Sequence, residues 1–173
     1  MVETLATFFK IKLVNFIIVT FKSKIKHGLM QLVSDYLFVY SSLLEGFQSE
    51  EYRYIHQYFG FVGKATVKGI LSDLGNNPVA KPTTEDYFIK GELYKINDSD
   101  EFSFAIGQLD DYEGVRPEAY ENPLYTRELT IVFKEDGSQV NAWVYWYNGN
   151  VDGKPVIQSG DVMEYVKSKQ GLL

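Results

Sequence analysis

Two strongly β-prone runs, Tyr125–Phe133 and Val140–Tyr147, flank Glu135-Asp136-Gly137-Ser138. β-branched and aromatic residues on both sides of a short turn that carries Gly read as a hairpin. A chain containing it must build part of its core from antiparallel sheet. Other segments extend the sheet. Asp35–Tyr40 is a continuous apolar and aromatic run, the pattern of a buried strand. Phe61–Leu71 alternates as a strand, with Gly63 and Gly69 as bends or bulges. Tyr87–Ile96 reads as another strand, and Asn76-Asn77-Pro78 as a turn or loop.

Helix signals fall between these runs. Ser49 is placed to cap a helix over Glu50–Phe59, where the early Glu residues suit the positive end of the dipole, and Gly60 ends it. Asp98-Ser99-Asp100-Glu101 has capping-box spacing and predicts a helix from about Ser99 to Asp110, closed near Gly114. Asp161–Lys169 predicts a short terminal helix that stops near Gly171. The order is strand, helix, strand, strand, helix, hairpin, helix. In a chain of 173 residues that order predicts one α+β domain: a small, mixed, barrel-like curved sheet with flanking short helices.

Charge separates the first thirty residues from the rest. Residues 1–29 carry a balance of +4, leaving −10 for the remainder of a chain whose net charge is −6. The acidic remainder argues against a nucleic-acid partner. The apolar run Leu13–Phe21, flanked by lysines, is shorter than the ~20 residues a spanning helix needs, and Lys-Ser-Lys-Ile-Lys follows it where a secretory signal wants small residues. Three readings of residues 1–30 stand: an arm that contacts a membrane or a partner, an extra element packed on the domain, or residues upstream of a true start at Met30. The domain itself is expected over 31–173. The absence of Cys excludes disulfides, thiolate metal sites and a Cys nucleophile, and fits a cytoplasmic protein. His56 has no matching ligand, so no metal site is expected, and no Gly-rich phosphate loop calls for a nucleotide cofactor.

Several short motifs together resemble the gamma-glutamylcyclotransferase-like family, of AIG2-like or gamma-glutamylamine cyclotransferase type. Leu37-Phe38-Val39-Tyr40-Ser41-Ser42-Leu43 is similar to its "FVYGTL" signature, and Phe61–Gly69 to its "G-x-A-x-x-x-G" strand. Gly91-Glu92-Leu93-Tyr94 is similar to "GEVY", Leu109–Gly114 to "LDxxEG" and Tyr125-Thr126-Arg127 to "YxR". Ala142–Tyr145 and Ser159-Gly160-Asp161 complete a pattern that covers roughly Asp35 to Tyr165 in family order.

The resemblance implies a small-molecule gamma-glutamyl substrate. Its free α-amine attacks its own side-chain amide, giving 5-oxoproline and a released amine. Such a ring closure needs a carboxylate to take a proton from the ammonium and return it to the departing nitrogen. The match assigns that role to Glu113. A carboxylate at a helix C-terminus also faces the negative end of the dipole, which favours its protonated form; a solvated helix-end carboxylate is the plain alternative. The same match gives Asp110 a structural role. The loop Tyr40-Ser41-Ser42-Leu43 corresponds to the backbone cradle for the substrate's carboxylate or carbonyl oxygen, and Tyr125 and Tyr145 to substrate-orienting groups, with core tyrosine the alternative for each. Ser41 stands where the family has Gly. Its Cβ narrows the loop, which keeps a second reading open: a small-molecule-binding protein of the same fold without turnover.

Overall fold

A computed structural model describes residues 34–47, 49–75, 77–116 and 121–171. The chain divides into two compact units, Met1–Ser34 and Asp35–Leu173, and every described helix and strand belongs to the second. The three readings of residues 1–30, including a start at Met30, fall outside the described residues.

Among the described residues six strands run in the order β1 (Tyr36–Val39), β2 (Phe59–Asp73), β3 (Pro78–Pro82), β4 (Phe88–Ile96), β5 (Tyr125–Lys134) and β6 (Gln139–Tyr147). Among the described residues three α-helices join them: α1 (Glu50–Tyr58), α2 (Phe102–Tyr112) and α3 (Val162–Lys169). The sheet order is β3-β2-β4-β1-β6-β5, and a further pairing of β2 with β5 closes it. The closed part is a five-stranded mixed barrel, with β3 appended to the far stretch of β2. Only β1 with β6 is parallel. The α+β, barrel-like expectation is met.

Burial explains why β1 reads as unbroken apolar sequence. Phe38 and Tyr40 join a cluster fed by β2, β4, β5 and β6, which fills the barrel interior. Leu37 and Val39 face the opposite way, onto a second cluster that includes Ile55 of α1 and Ala105, Ile106 and Leu109 of α2. With both faces covered, the strand has no polar side to show. Val162 of α3 belongs to the interior cluster, and Phe47 and Val166 pack against it.

The structure departs from expectation in three places. The first helix ends at Tyr58, and the chain passes directly into β2, because Phe59 is already paired with Ile96 of β4 and buried. Gly60 therefore lies within the strand. At Gly63 the register shifts as a bulge; at Gly69 the strand changes partner, from β4 to β3. Pro78, expected to belong to a turn or loop, opens a strand the sequence reading did not assign, β3, which runs to Pro82. Prolines lack the ladder's N–H and hide a strand this short. The helix expected from Ser99 opens with a 3₁₀ turn, Ser99–Glu101, before α2, and runs on to Tyr112.

Candidate active site

The end of α2 sets the position of Glu113. The Val115 amide donates to the Asp110 carbonyl (2.8 Å), the Gly114 amide donates to that of Asp111 (3.2 Å), and Gly114 has φ +65°. This is a Schellman cap, with Glu113 as the C-cap residue and a left-handed residue after it. Gly114 is needed there because its φ is one that L side chains rarely adopt. The Leu124 amide then bonds the Gly114 carbonyl at 3.0 Å, bringing the start of β5 beside the helix end.

The loop after β1 is tied down from two sides. The Leu44 amide bonds the Ser41 carbonyl at 2.9 Å, closing a turn that leaves the intervening Ser42 and Leu43 amides out of that bond. The Ser49 hydroxyl donates to the Ser42 carbonyl (2.8 Å) and accepts from the Tyr52 amide (3.0 Å), so one side chain both caps α1 and holds the loop. From β4, a single Glu92 oxygen accepts from the Glu45 amide at 3.1 Å and from the Tyr94 hydroxyl at 2.8 Å.

The end of α2, the start of β5 and the loop after β1, together with the start of β3 and one face of α3, line an open cavity of about 470 Å³. Of the residues the sequence singles out, Ser41, Ser42, Glu113 and Tyr125 line it. Tyr40, Leu43 and Tyr145 are buried and are not among the lining residues. The Tyr40 hydroxyl donates to the Tyr145 carbonyl (2.7 Å), and the Tyr145 hydroxyl donates to Asp110 Oδ1 (2.9 Å). Their order around the cavity is that of a supporting layer.

Asp110 is the centre of that layer. It is 1% exposed and accepts two bonds from Arg127 (2.7 and 3.1 Å) and one from Arg116 (3.3 Å), besides the Tyr145 bond. The Arg127 guanidinium also stacks over the Trp143 ring at 4.5 Å. Burying a carboxylate is costly unless it is paired and hydrogen-bonded, and here every demand is met. The pair ties α2 to β5, the two elements that carry Glu113 and Tyr125. The sequence places Arg127 only within its Tyr125-Thr126-Arg127 motif and names no partner for it. The available signal was its opposite charge to Asp110 within two adjoining motifs.

The charge of Glu113 is felt across the site. Burial pushes the Tyr125 hydroxyl up to about 12, and the Glu113 carboxylate is the next cause. Burial raises Tyr40 well above its ordinary value, with Tyr125 and then Glu113 adding to it. Tyr145 is raised by burial and by Asp110. All three hydroxyls are therefore protonated donors at neutral pH. Among the described residues no group of three or more His, Asp or Glu is placed to hold a metal ion, and no helix is long and apolar enough to cross a membrane.

Comparison with known proteins matches the family model described as "Gamma-glutamyl cyclotransferase, AIG2-like" to residues 37–164. The curated "Putative gamma-glutamylcyclotransferase MJ1514" of Methanocaldococcus jannaschii is 26% identical over 132 residues, 76% of this chain and 98% of that protein. Among solved structures, YkqA from Bacillus subtilis superposes with TM-score 0.58 at 22% identity, over 80% of this chain and 43% of that one. An uncharacterized protein of Pyrococcus horikoshii gives 0.54 at 21% identity, over 80% and 98%. At these identities the structural likenesses speak for the fold alone.

Proposed function

The chain belongs to the AIG2-like gamma-glutamyl cyclotransferase family, an enzyme family, and from that premise we propose that it cleaves a gamma-glutamyl amide by cyclisation, with Glu113 as general base and then general acid. One observation carries this reading: the Glu113 carboxylate, the Ser41–Ser42 loop and Tyr125 line a single cavity of a size to hold a small molecule.

The chemistry follows from those groups. The Glu113 carboxylate takes a proton from the substrate's α-ammonium. The freed amine attacks the δ-carbonyl carbon of the same molecule and forms a five-membered tetrahedral adduct. The backbone of the Ser41–Ser42 loop, which lines the cavity, meets the carboxylate or developing oxyanion, and the Tyr125 hydroxyl, kept neutral, donates a hydrogen bond. Collapse of the adduct breaks the carbon–nitrogen bond to the leaving amine, which receives the proton that Glu113 had taken. The attacking nitrogen gives up its second proton to the freed Glu113 carboxylate, which passes it to the departing amine and leaves a neutral lactam N–H. The products are 5-oxoproline and a free amine. Because the ring closure is intramolecular, the protein supplies proton transfer and orientation rather than an encounter of two reactants.

The test is 5-oxoproline release from a panel of gamma-glutamyl amides by the full chain and by Glu113→Gln. A general acid–base group accounts for roughly 10²–10⁴-fold in rate, so the variant is expected to lose that much with an unchanged melting midpoint. Full activity in Glu113→Gln would remove Glu113 from the mechanism. Ser41, which stands at the family's Gly and lines the cavity, favours a second reading: binding of gamma-glutamyl amides without turnover. Calorimetric binding by a chain that releases no 5-oxoproline would select it.

A further inference from the structure

Two walls of the cavity lie beyond the reach of the Asp110 network. Asn77 and Pro78 line it at the entry to β3, and Val162 and Val166 line it from α3. The bonds to Asp110 come from Arg116, Arg127 and Tyr145 and touch neither wall.

A separate set of bonds joins these walls, and Asp73, the last residue of β2, is its centre. One carboxylate oxygen accepts from the Gly75 amide at 2.6 Å, and the other lies 3.1 Å from the Lys169 ammonium at the end of α3. The Tyr165 hydroxyl of α3 donates to the Gly75 carbonyl at 3.1 Å. The N–H and the C=O of Gly75 are therefore both taken, one by Asp73 and the other by the helix. Next to it the Leu74 amide bonds the Asn77 carbonyl at 3.2 Å, which carries this hold into the cavity wall. Tyr165 and Lys169 are four residues apart on α3, as are Val162 and Val166. One stripe of the helix thus makes the clasp and the neighbouring stripe lines the cavity.

Asp73 itself stays outside that cavity. With Tyr165 and Ser168 it lines a second, open cavity of about 220 Å³ on another side of α3. Lys167, Ser168 and Lys169 are exposed, so beyond Val166 the helix is held to the end of β2 by the ion pair rather than by core packing. Tyr165, the Gly75 amide and Lys169 keep the Asp73 carboxyl below its ordinary value, and Asp73 keeps the Lys169 ammonium above its own. Both groups are charged across the neutral range.

On the cyclotransferase reading, on which this rests, we infer that Asp73 is a positioning residue for the candidate active site: by holding the β2–β3 link and Lys169 of α3 at once, it fixes two walls of the cavity against each other. Neither Asp73 nor Lys169 lines that cavity. Loss of the clasp therefore weakens the grip on substrate in the ground state and the transition state alike, which raises KM and leaves kcat in place.

The experiment is steady-state 5-oxoproline release by the full chain, on the amide of the panel that it turns over fastest. Lys169→Met removes only the ion pair, at an exposed helix end where the fold does not depend on it. Asp73→Asn removes the same pair and keeps an oxygen for the Gly75 amide. Each is expected to raise KM about fivefold, the scale of one surface ion pair, with kcat within about twofold. The double variant is expected to be no worse than either single one, because both remove one interaction. Lys169→Arg keeps the charge and should hold KM at its original value. A lower melting midpoint with unchanged KM would give the pair a role in stability alone and overturn the inference. Effects on KM that add in the double variant, or a fall in kcat at constant KM, would overturn it too. All three results leave the cyclotransferase reading intact. An unaltered chain that releases no 5-oxoproline from any amide overturns both together.

Discussion

Tyr40, Tyr125 and Tyr145 all hold their protons more tightly than an ordinary tyrosine, in each case through burial first, and the Glu113 carboxylate adds to all three. An unfolded chain releases these protons near pH 10, whereas the folded chain keeps that of Tyr125 to about 12. Above pH 10 the folded state therefore binds more protons than the unfolded one, and stability falls as pH rises. The contribution is whole below about pH 10 and is lost through the folded value. Melting midpoints measured from pH 8 to 12 should decline in that window, and Tyr125→Phe should flatten the decline. A midpoint that stays level while tyrosinate absorbance rises to its full extent would show that the hydroxyls titrate without resistance from the fold. Asp110 illustrates the same scale. Its ion pair joins residues 17 positions apart, so its partner could not be read from spacing along the chain.

The elements show which signals survive from sequence to fold. Strands that alternate or run apolar were legible, because period-two burial writes itself into the residue types. Helix starts were legible through Ser49 and Asp98, whose side chains do accept backbone bonds at the cap. β3 was not, since it lies between two prolines and gains its pairing only from β2. The cavity was the least legible feature. Glu113 and Ser41 were tied to one site by family resemblance, and nothing in Val162 or Val166 distinguishes a cavity wall from the core face of any short helix. The motif Gly91-Glu92-Leu93-Tyr94 acquires a physical reason. A Cβ at Gly91 would stand 2.1 Å from the Val39 carbonyl oxygen and 2.6 Å from the Phe38 ring, while Glu92 braces the loop through the Glu45 amide. Gly91→Ala should force β1 away from β4 at a cost of about 3 kcal/mol. For a chain of this size that lowers the melting midpoint by about 6–12 °C. An unchanged midpoint would mean that the two strands do not close in this way.

At the scale of the whole molecule, the barrel serves as a frame that brings three separate stretches to one opening: the loop after β1, the C-cap of α2 and the start of β5. Closure through β2 and β5 fixes β5 against the sheet, and the Asp110–Arg127 pair fixes α2 against β5. Under the proposed function, this frame directs a gamma-glutamyl amide to attack itself rather than admitting water to the carbonyl. Turnover of gamma-glutamyl butylamide in water enriched with ¹⁸O, followed by mass analysis of the released acid, tests it most directly. Intramolecular cyclisation gives 5-oxoproline without ¹⁸O, released in step with butylamine and lost in Glu113→Gln. Glutamate carrying ¹⁸O would show hydrolysis by water and contradict it.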